Sequence, residues 1–196
     1  MTPRRIARDD MDNYFQYDLE LGSRTIYLGS CVLPTGEESG TNWHMAEVAI
    51  KGLHVLDRTF GPITVQFSTP GGDTYYGLAI YDAIQACSNE VTIVGHGLVM
   101  SIGALILQAA DRRVLTPHAT MMLHYGYATF DGHALEMERW TAEYRRLHTV
   151  YEDILLHRMW NKHPNFTRQD FAQLCAFYKY LAADEAVEMG LADAIL

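Results

Sequence analysis

The amino-acid sequence predicts an α/β fold built from repeated strand–turn–helix units. Residues 63–68 and 90–96 are short runs rich in β-branched residues, and each leads through a glycine-containing turn into a segment with apolar residues at helical spacing. A longer segment with helical periodicity begins near residue 133. Because crossovers between parallel strands are right-handed, we expect both turns at the carboxyl ends of neighbouring strands, where they would face one cleft.

The composition favours a single domain that spans residues 1–196. The chain is 48% hydrophobic and 20% charged, which is enough apolar material for one sizeable core. Its formal net charge of −9 argues against nucleic acid or an anionic membrane as the main partner, because both attract basic surfaces.

The cysteine pattern predicts a reducing, cytoplasmic environment. Cys31, Cys87 and Cys175 are odd in number and far apart, and none belongs to a Cys-x-x-Cys motif, which argues against a disulfide framework and against a zinc site. The first residues are basic and then acidic, without the apolar stretch of a secretory signal, so we expect residues 1–13 to form a flexible arm.

A predicted strand and a predicted helix precede the first glycine turn. Residues 24–29 read as a strand, and residues 42–59 read as a helix that Gly61 and Pro62 end. The turn at residues 69–73 contains Gly71 and Gly72, which can adopt positive φ and let another group approach the backbone N–H groups. Such a turn could hold a developing oxyanion, although an ordinary strand-to-helix turn has the same composition.

Ser101 places one hydroxyl inside the apolar, glycine-containing run of residues 97–104, at the predicted second strand-to-helix turn. A nucleophile on such a turn projects its oxygen out of the sheet, beside the free N–H groups of the following helix. The alternative is a serine whose hydroxyl caps that helix.

His124 ends a strand that follows Pro117 and stops before Gly126. Its place after Ser101 makes it the candidate general base, whereas a histidine at a strand end is otherwise a surface or hydrogen-bonded polar residue. Ligation of a metal by His118 and His124 is a remote alternative, because the sequence contains no His-Glu-x-x-His motif or paired His/Cys cluster. We expect no metal.

The helix predicted at residues 133–161 carries apolar residues at alternating steps of three and four, and further apolar residues form a second edge. That is too much apolar surface for one buried stripe on a monomer, so we expect this helix to pack against another subunit. A long core helix is the alternative. Two shorter helices follow, the first with a capping pattern at Thr167 and Asp170, and the second ended by Gly190.

Four motifs together resemble the Clp protease proteolytic subunit (ClpP) family, serine peptidases of the crotonase-like fold. They are the turn FSTPGG at 67–72, the run GLVMSIGA at 97–104, the proline-to-histidine strand at 117–124, and the closing ADEAVEMGLAD at 183–193. The resemblance extends from about Tyr14 to the last residue. It implies a spiral of βαβ units with a protruding "handle" helix at residues 133–161.

The resemblance also implies the roles of individual residues and the assembly. Ser101 would be the nucleophile, His124 the general base, and the N–H groups of Gly72 and Ile102 the oxyanion hole. Heptameric rings, single or double, would enclose a chamber in which unfolded polypeptides are cut. An ATP-driven AAA+ unfoldase would feed the chamber, so this chain would need no cofactor of its own.

The sequence departs from the family at the third triad position, where Tyr178 stands in place of the aspartate and Phe177 in place of the neighbouring arginine. Tyr125 and Gly126 replace the Gln-Pro that follows the family's histidine. The third member is left open: the phenol of Tyr178 can accept the Nδ1–H of His124 and orient it, Asp170 or Asp131 could supply a carboxylate, or Ser101 and His124 work as a dyad.

Three functions therefore compete. The first is a serine endopeptidase with reduced intrinsic activity. The second is a non-catalytic ring subunit, which Tyr178 favours and which the presence of both Ser101 and His124 disfavours. The third is a crotonase-type acyl-CoA enzyme, which would use two backbone N–H groups to hold an enolate.

Overall fold

A computed structural model of the chain describes residues 8–30 and 39–196. The helices are α1 (Arg8–Tyr17), α2 (Trp43–Leu56), α3 (Thr74–Gln85), α4 (Ile102–Leu107), α5 (Ala134–Met159), α6 (Arg168–Leu174) and α7 (Ala183–Glu188). The strands are β1 (Leu19–Glu20), β2 (Thr25–Gly29), β3 (Ile63–Thr69), β4 (Val91–Met100), β5 (Arg112–Leu115), β6 (Thr120–Leu123), β7 (Lys179–Leu181) and β8 (Ala194–Ile195). The predicted α/β class is confirmed.

The strands form one sheet in the order β1-β2-β3-β4-β5-β8, with β6 and β7 branching from β4. The neighbours from β2 to β8 pair in parallel, and β1 pairs with β2 antiparallel. The long strand β4 forks: its first half pairs with β5, and its last residues, Leu98–Met100, pair with Thr120–Met122 of β6. This fork brings the carboxyl ends of β4 and β6 together.

The core lies between the sheet and the helices. On β3, Ile63, Val65 and Phe67 alternate with less buried residues, as a half-buried strand requires. Helix α2 buries one face that includes Ala49 and Leu53, and its predicted ends are close to those observed. The side chains of Asn42 and Asp73 cap α2 and α3, which accounts for where these helices begin.

Helix α5 divides into two halves with different surroundings. Residues 134–140 are exposed along the whole stretch, including Leu135 at 70% and Trp140 at 50% exposure. The second half buries Leu147, Tyr151 and Leu155 against the core of the same chain. The expectation that both apolar edges lie between subunits is therefore wrong for the second half, which follows the alternative of a core helix. Within the described residues, the first half is covered only in part, by the stacking of Trp140 on Phe130.

Other differences from the predicted elements concern short segments. Helix α1 begins at Arg8, within the stretch predicted to be a flexible arm, and residues 1–7 lie outside the described residues. The helix expected after Ser101 is short, spanning only Ile102–Leu107, and β7 was not predicted. Cys31 also lies outside the described ranges, whereas Cys87 and Cys175 are free thiols. None of the described helices is both long and apolar enough to span a bilayer.

Candidate active site

Ser101 lies between the end of β4 and the start of α4, in a backbone conformation that non-glycine residues rarely adopt (φ 55°, ψ −122°). Its N–H donates to the carbonyl of Met122 at 2.7 Å, which ties the turn to β6. The side chain makes no capping hydrogen bond to α4. Instead, Ser101 Oγ lies 2.7 Å from Nε2 of His124. The alternative of a helix-capping serine is therefore wrong.

His124 owes its place to the pairing of β4 with β6. Met100 is opposite Met122, so the residues that follow these two strands emerge side by side. Burial of the half-buried imidazole lowers the pKa of His124 below its ordinary value, because desolvation penalises the charged form. The ring is therefore neutral at neutral pH and can accept a proton.

The glycine turn of residues 70–73 packs directly against Ser101. Gly71 has φ +106°, and a Cβ at this position would lie 2.6 Å from the Ser101 Cβ. Thr41 holds the turn: its N–H donates to the Gly71 carbonyl at 2.6 Å, and its carbonyl accepts from the Asp73 N–H at 2.9 Å. The turn packs so closely that a residue with a side chain would not fit. This close packing explains why glycine occupies these two positions.

The two backbone N–H groups named from the sequence border the same cleft as Ser101. Gly72 and Ile102 both line this cleft, together with Ser101 and His124. Ile102 is the first residue of α4, so its N–H precedes the helical hydrogen-bond ladder. All four sequence-predicted positions thus meet in one place.

At the third triad position, the ring of Tyr178 contacts the ring of His124 but makes no hydrogen bond to it. Leu123 pairs with Lys179 in the antiparallel β6–β7 ladder, which places Tyr178 beside His124. The two ring centroids are 5.0 Å apart in an edge-to-face arrangement, and Tyr178 is 55% exposed. The structure gives no hydrogen bond between the phenol and the imidazole, so the expectation that the phenol orients His124 by such a bond is not met.

Neither aspartate named from the sequence replaces the missing carboxylate. Asp170 caps α6, where its carboxylate accepts from the Thr167 N–H at 2.8 Å and from the Thr167 hydroxyl at 2.6 Å. Asp131 makes no hydrogen bond to His124. Across residues 8–30 and 39–196, no carboxylate hydrogen-bonds to this imidazole.

Comparison with known proteins decides the family. The Clp protease family model matches residues 31–196. The chain belongs to the Clp protease family. An ATP-dependent Clp protease proteolytic subunit of Deinococcus radiodurans is 28% identical over 188 residues, covering 94% of this chain and 85% of the relative. A Dehalococcoides mccartyi protein of the same name is 30% identical over 184 residues, with 92% and 85% covered.

Membership of the Clp protease family confirms the resemblance drawn from the four motifs. The mixed α/β sheet with its long helix α5 is consistent with the crotonase-like fold of that family. The chain is accordingly a protease of the Clp type, and serine-type hydrolysis is the chemistry that the family implies.

Beyond Ser101, the cleft extends along α5 with a volume of about 540 Å³. The lining consists of the four site residues and Pro70, Thr74, Met122, Tyr125, Gly126, Tyr127, Tyr144, Leu147, His148, Tyr151 and Tyr178. His148 was not predicted as a site residue, and Tyr144 and Tyr151 belong to the apolar residues that predicted an interface helix at residues 133–161. Their spacing of four and three residues, which puts three polar-tipped rings on one helix face, is the pattern that could have revealed them.

Proposed function

We propose that this chain is a serine endopeptidase, the proteolytic subunit of an ATP-dependent Clp-type protease that cuts unfolded polypeptides and short peptides. The observation that carries the proposal is the 2.7 Å contact between Ser101 Oγ and His124 Nε2 at a strained strand-to-helix turn. A nucleophile and a base within hydrogen-bond reach are the minimum that acyl transfer requires.

In the proposed reaction, Ser101 Oγ attacks the peptide carbonyl and its proton passes to His124 Nε2. The N–H groups of Gly72 and Ile102 hold the oxyanion of the tetrahedral intermediate. The intermediate collapses to an acyl-enzyme when the imidazolium protonates the leaving amine. Water then attacks the acyl-enzyme with His124 again as base, which frees the carboxylic acid and restores the serine hydroxyl.

We expect the intrinsic rate to be low because no carboxylate of the described residues accepts a hydrogen bond from His124. In serine peptidases, replacing the orienting aspartate by a neutral residue costs about 10⁴-fold in turnover. Ser101 and His124 therefore work as a dyad, and Tyr178 contributes only ring contact. A weakly active or non-catalytic ring subunit is the second candidate, and the exposed ring of Tyr178 favours it.

The assembly and location belong to the same proposal. Exposed apolar side chains on the first half of α5 support a homo-oligomer, for which the family suggests a single or double heptameric ring. A AAA+ unfoldase would consume ATP and deliver substrate, so the chain itself needs no cofactor and no metal. A cytoplasmic location agrees with the free thiols of Cys87 and Cys175.

Labelling with a fluorophosphonate probe tests the proposal. Wild-type protein should be labelled at one serine, and Ser101→Ala should not be labelled although its circular dichroism is unchanged. Hydrolysis of short fluorogenic peptides should fall by orders of magnitude in His124→Ala and little further in the double variant, since groups that act as one unit are not additive.

The outcomes separate the three candidates. Labelling that persists in Ser101→Ala would contradict the nucleophile assignment. Protein that assembles but neither labels nor hydrolyses peptides would be a non-catalytic subunit. Turnover of an acyl-CoA that survives the loss of the Ser101 hydroxyl would indicate the crotonase-type reaction.

A further inference from the structure

His124 stands where the strand that carries it ends. Leu123 is the last residue of β6 and pairs with Lys179 of β7, whereas residues 124–133 belong to no helix or strand. The sheet therefore holds the backbone of His124 on one side only. Because no carboxylate of the described residues hydrogen-bonds to the imidazole, the position of this ring depends strongly on the residue that follows it.

That residue, Tyr125, is fastened to helix α5 at two points. Its carbonyl accepts a hydrogen bond from the Tyr144 hydroxyl at 3.2 Å, and its own hydroxyl donates to Glu152 Oε1 at 2.6 Å. Tyr144 and Glu152 are eight residues apart on α5, so they lie on one face of this helix. The phenol ring also packs edge-on against Phe171 of α6, with ring centroids 6.2 Å apart. The backbone and the side chain of Tyr125 are thus both held, and with them the peptide that joins it to His124.

Glu152 is in turn fixed by Arg168 at the start of α6. Arg168 Nη1 donates to Glu152 Oε2 at 2.9 Å, and its Nη2 pairs with Asp153. Each oxygen of the Glu152 carboxylate therefore accepts one hydrogen bond, one from the Tyr125 phenol and one from the guanidinium. Hydrogen bonds to an ionised group are stronger than neutral ones, and the Glu152 side chain is only 19% exposed. The carboxylate is thus held with Oε1 facing Tyr125.

The Tyr125 hydroxyl remains a donor throughout the pH range of peptide hydrolysis. Burial raises the pKa of Tyr125 above its ordinary value, and the hydrogen bond to Glu152 and the charge of that carboxylate raise it further. The phenol therefore stays protonated, and its bond to Glu152 persists wherever the base of the proposed site works.

We propose that Glu152 is a positioning residue that, through the Tyr125 hydroxyl, holds the imidazole of His124 against Ser101. This inference rests on the proposed function, in which His124 Nε2 takes the proton of the Ser101 hydroxyl. Glu152 does not line the cleft, so it touches neither the substrate nor the reacting atoms. A base without a carboxylate partner needs such a hold, because reacting groups must stay within about 0.5 Å of the productive geometry.

Two variants break the Tyr125–Glu152 bond from opposite ends. Tyr125→Phe and Glu152→Leu should each lower kcat for a short fluorogenic peptide by at least about ten-fold and leave KM within about two-fold. Dividing the rate by the number of sites titrated with fluorophosphonate keeps misfolded protein out of kcat. The double variant should lose little more than either single variant, since both changes remove the same bond.

A change confined to KM would mean that Tyr125 acts by contact with the substrate, and it would overturn the inference. An unchanged kcat in both single variants would overturn it too. If one variant fails to fold by circular dichroism, the other decides, because either change alone removes the bond.

Helix α5 offers a matched control. Tyr75 of α3 donates its hydroxyl to Glu143 Oε1 at 3.0 Å, and Arg146 binds the same carboxylate. These three residues repeat the tyrosine, glutamate and arginine of the first set, but none of them lines the cleft. Tyr75→Phe and Glu143→Leu should keep kcat within about two-fold, as exposed substitutions do. Equal losses of kcat in the two sets would overturn the specific role of Glu152.

A measurement without substrate separates this inference from the failure of catalysis. Burial lowers the pKa of His124, and the groups that face the imidazole are the Ser101 hydroxyl and the Tyr178 ring. An imidazole that is held less firmly meets more water, so its pKa should rise in Tyr125→Phe toward the ordinary value of about 6.5.

Heteronuclear NMR of the His124 ring follows this titration in the wild type, in Tyr125→Phe and in the control Tyr75→Phe. We expect the upward shift in Tyr125→Phe alone. Identical titrations in all three proteins would overturn the inference even if the wild type proved to be inactive. Absence of fluorophosphonate labelling in the wild type, together with the expected shift, would contradict the proposed function alone.

Discussion

Ser101 Oγ and His124 Nε2 lie 2.7 Å apart, although the two residues are 23 positions apart in the chain. The contact follows from the fork in β4, whose last residues pair with β6 and whose next residue donates its N–H to the Met122 carbonyl. The hydroxyl and the imidazole are therefore held by two paired strands, so their approach does not depend on a mobile loop.

The pH dependence of hydrolysis should report the buried state of His124. Burial lowers its pKa, so the neutral base persists to more acidic pH than for an exposed histidine, whose pKa is about 6.5. We expect kcat/KM for an uncharged peptide to be flat near neutral pH and to fall on the acid side with a midpoint below about 6.5. A midpoint above that value would mean that a carboxylate stabilises the imidazolium.

Gly71→Ala should disable the site with little effect on the rest of the fold. The new Cβ would lie 2.6 Å from the Ser101 Cβ and 3.2 Å from the Met100 carbonyl oxygen, so it must displace the nucleophile. A displacement on the order of 1 Å costs about 100-fold in rate, which is the loss in kcat/KM that we expect.

Gly97→Ala is the matched control for this prediction. Gly97 also has positive φ, but the nearest atom to its added Cβ is the Ser68 hydroxyl at 4.0 Å. This variant should lose about 1–2 kcal/mol of stability and keep its kcat/KM. Thermal unfolding and peptide hydrolysis are measured for both variants. Equal losses of activity would show that the close approach of Gly71 to Ser101 is unimportant.

Assembly should depend on the exposed half of α5. Leu135 and Trp140 are large apolar side chains that remain 70% and 50% exposed, even though the ring of Trp140 stacks on Phe130 of its own chain. The double variant Leu135→Ser, Trp140→Ser should dissociate the proposed homo-oligomer, because it removes apolar surface that a second subunit would bury. Glu138→Ser, an exposed charged position in the same stretch, is the control. Native mass spectrometry that finds wild-type monomers alone at micromolar concentration would contradict the prediction.

The sequence predicted much of the site because its parts lie in local patterns. Gly71, Gly72 and Ser101 stand at strand-to-helix turns that can be read from periodicity and glycine content, and His124 closes a recognisable strand. Strand β7 was missed because Lys179–Leu181 is only three residues long and exists through pairing with β6. No local pattern encodes such a contact.

Residues that combine apolar and polar character were the hardest to interpret. Tyr151 satisfies a heptad pattern through its ring, so the sequence indicated only burial and gave no reason to ask about its hydroxyl. Whether α5 buries that ring in its own core or in a neighbour depends on long-range packing, and the structure shows its own core. The unpartnered state of the hydroxyl is likewise visible only in three dimensions.

Tyr178→Asp should raise activity, and Tyr178→Phe should leave it nearly unchanged. Tyr178 sits beside His124 through the β6–β7 ladder, with ring centroids 5.0 Å apart and no hydrogen bond between the side chains. The Phe variant keeps the ring contact and loses no bond. A carboxylate at this position could accept the Nδ1–H and stabilise the imidazolium that forms during attack, so we expect a gain of at least about ten-fold in kcat/KM out of the roughly 10⁴-fold that this interaction can supply.

The two Tyr178 variants should also differ in the pH dependence of kcat/KM. A carboxylate favours the charged form of the imidazole, so the acid-side midpoint of kcat/KM should move upward in the Asp variant relative to the wild type and stay in place in the Phe variant. Both profiles are measured with a short fluorogenic peptide from about pH 5 to about pH 9, a span that brackets the ordinary histidine pKa. A large loss in Tyr178→Phe would show that the phenol does orient His124. A gain in Tyr178→Asp without the upward shift would mean that the new carboxylate acts elsewhere in the cleft, because an acceptor on Nδ1 cannot stabilise the imidazolium without raising its pKa.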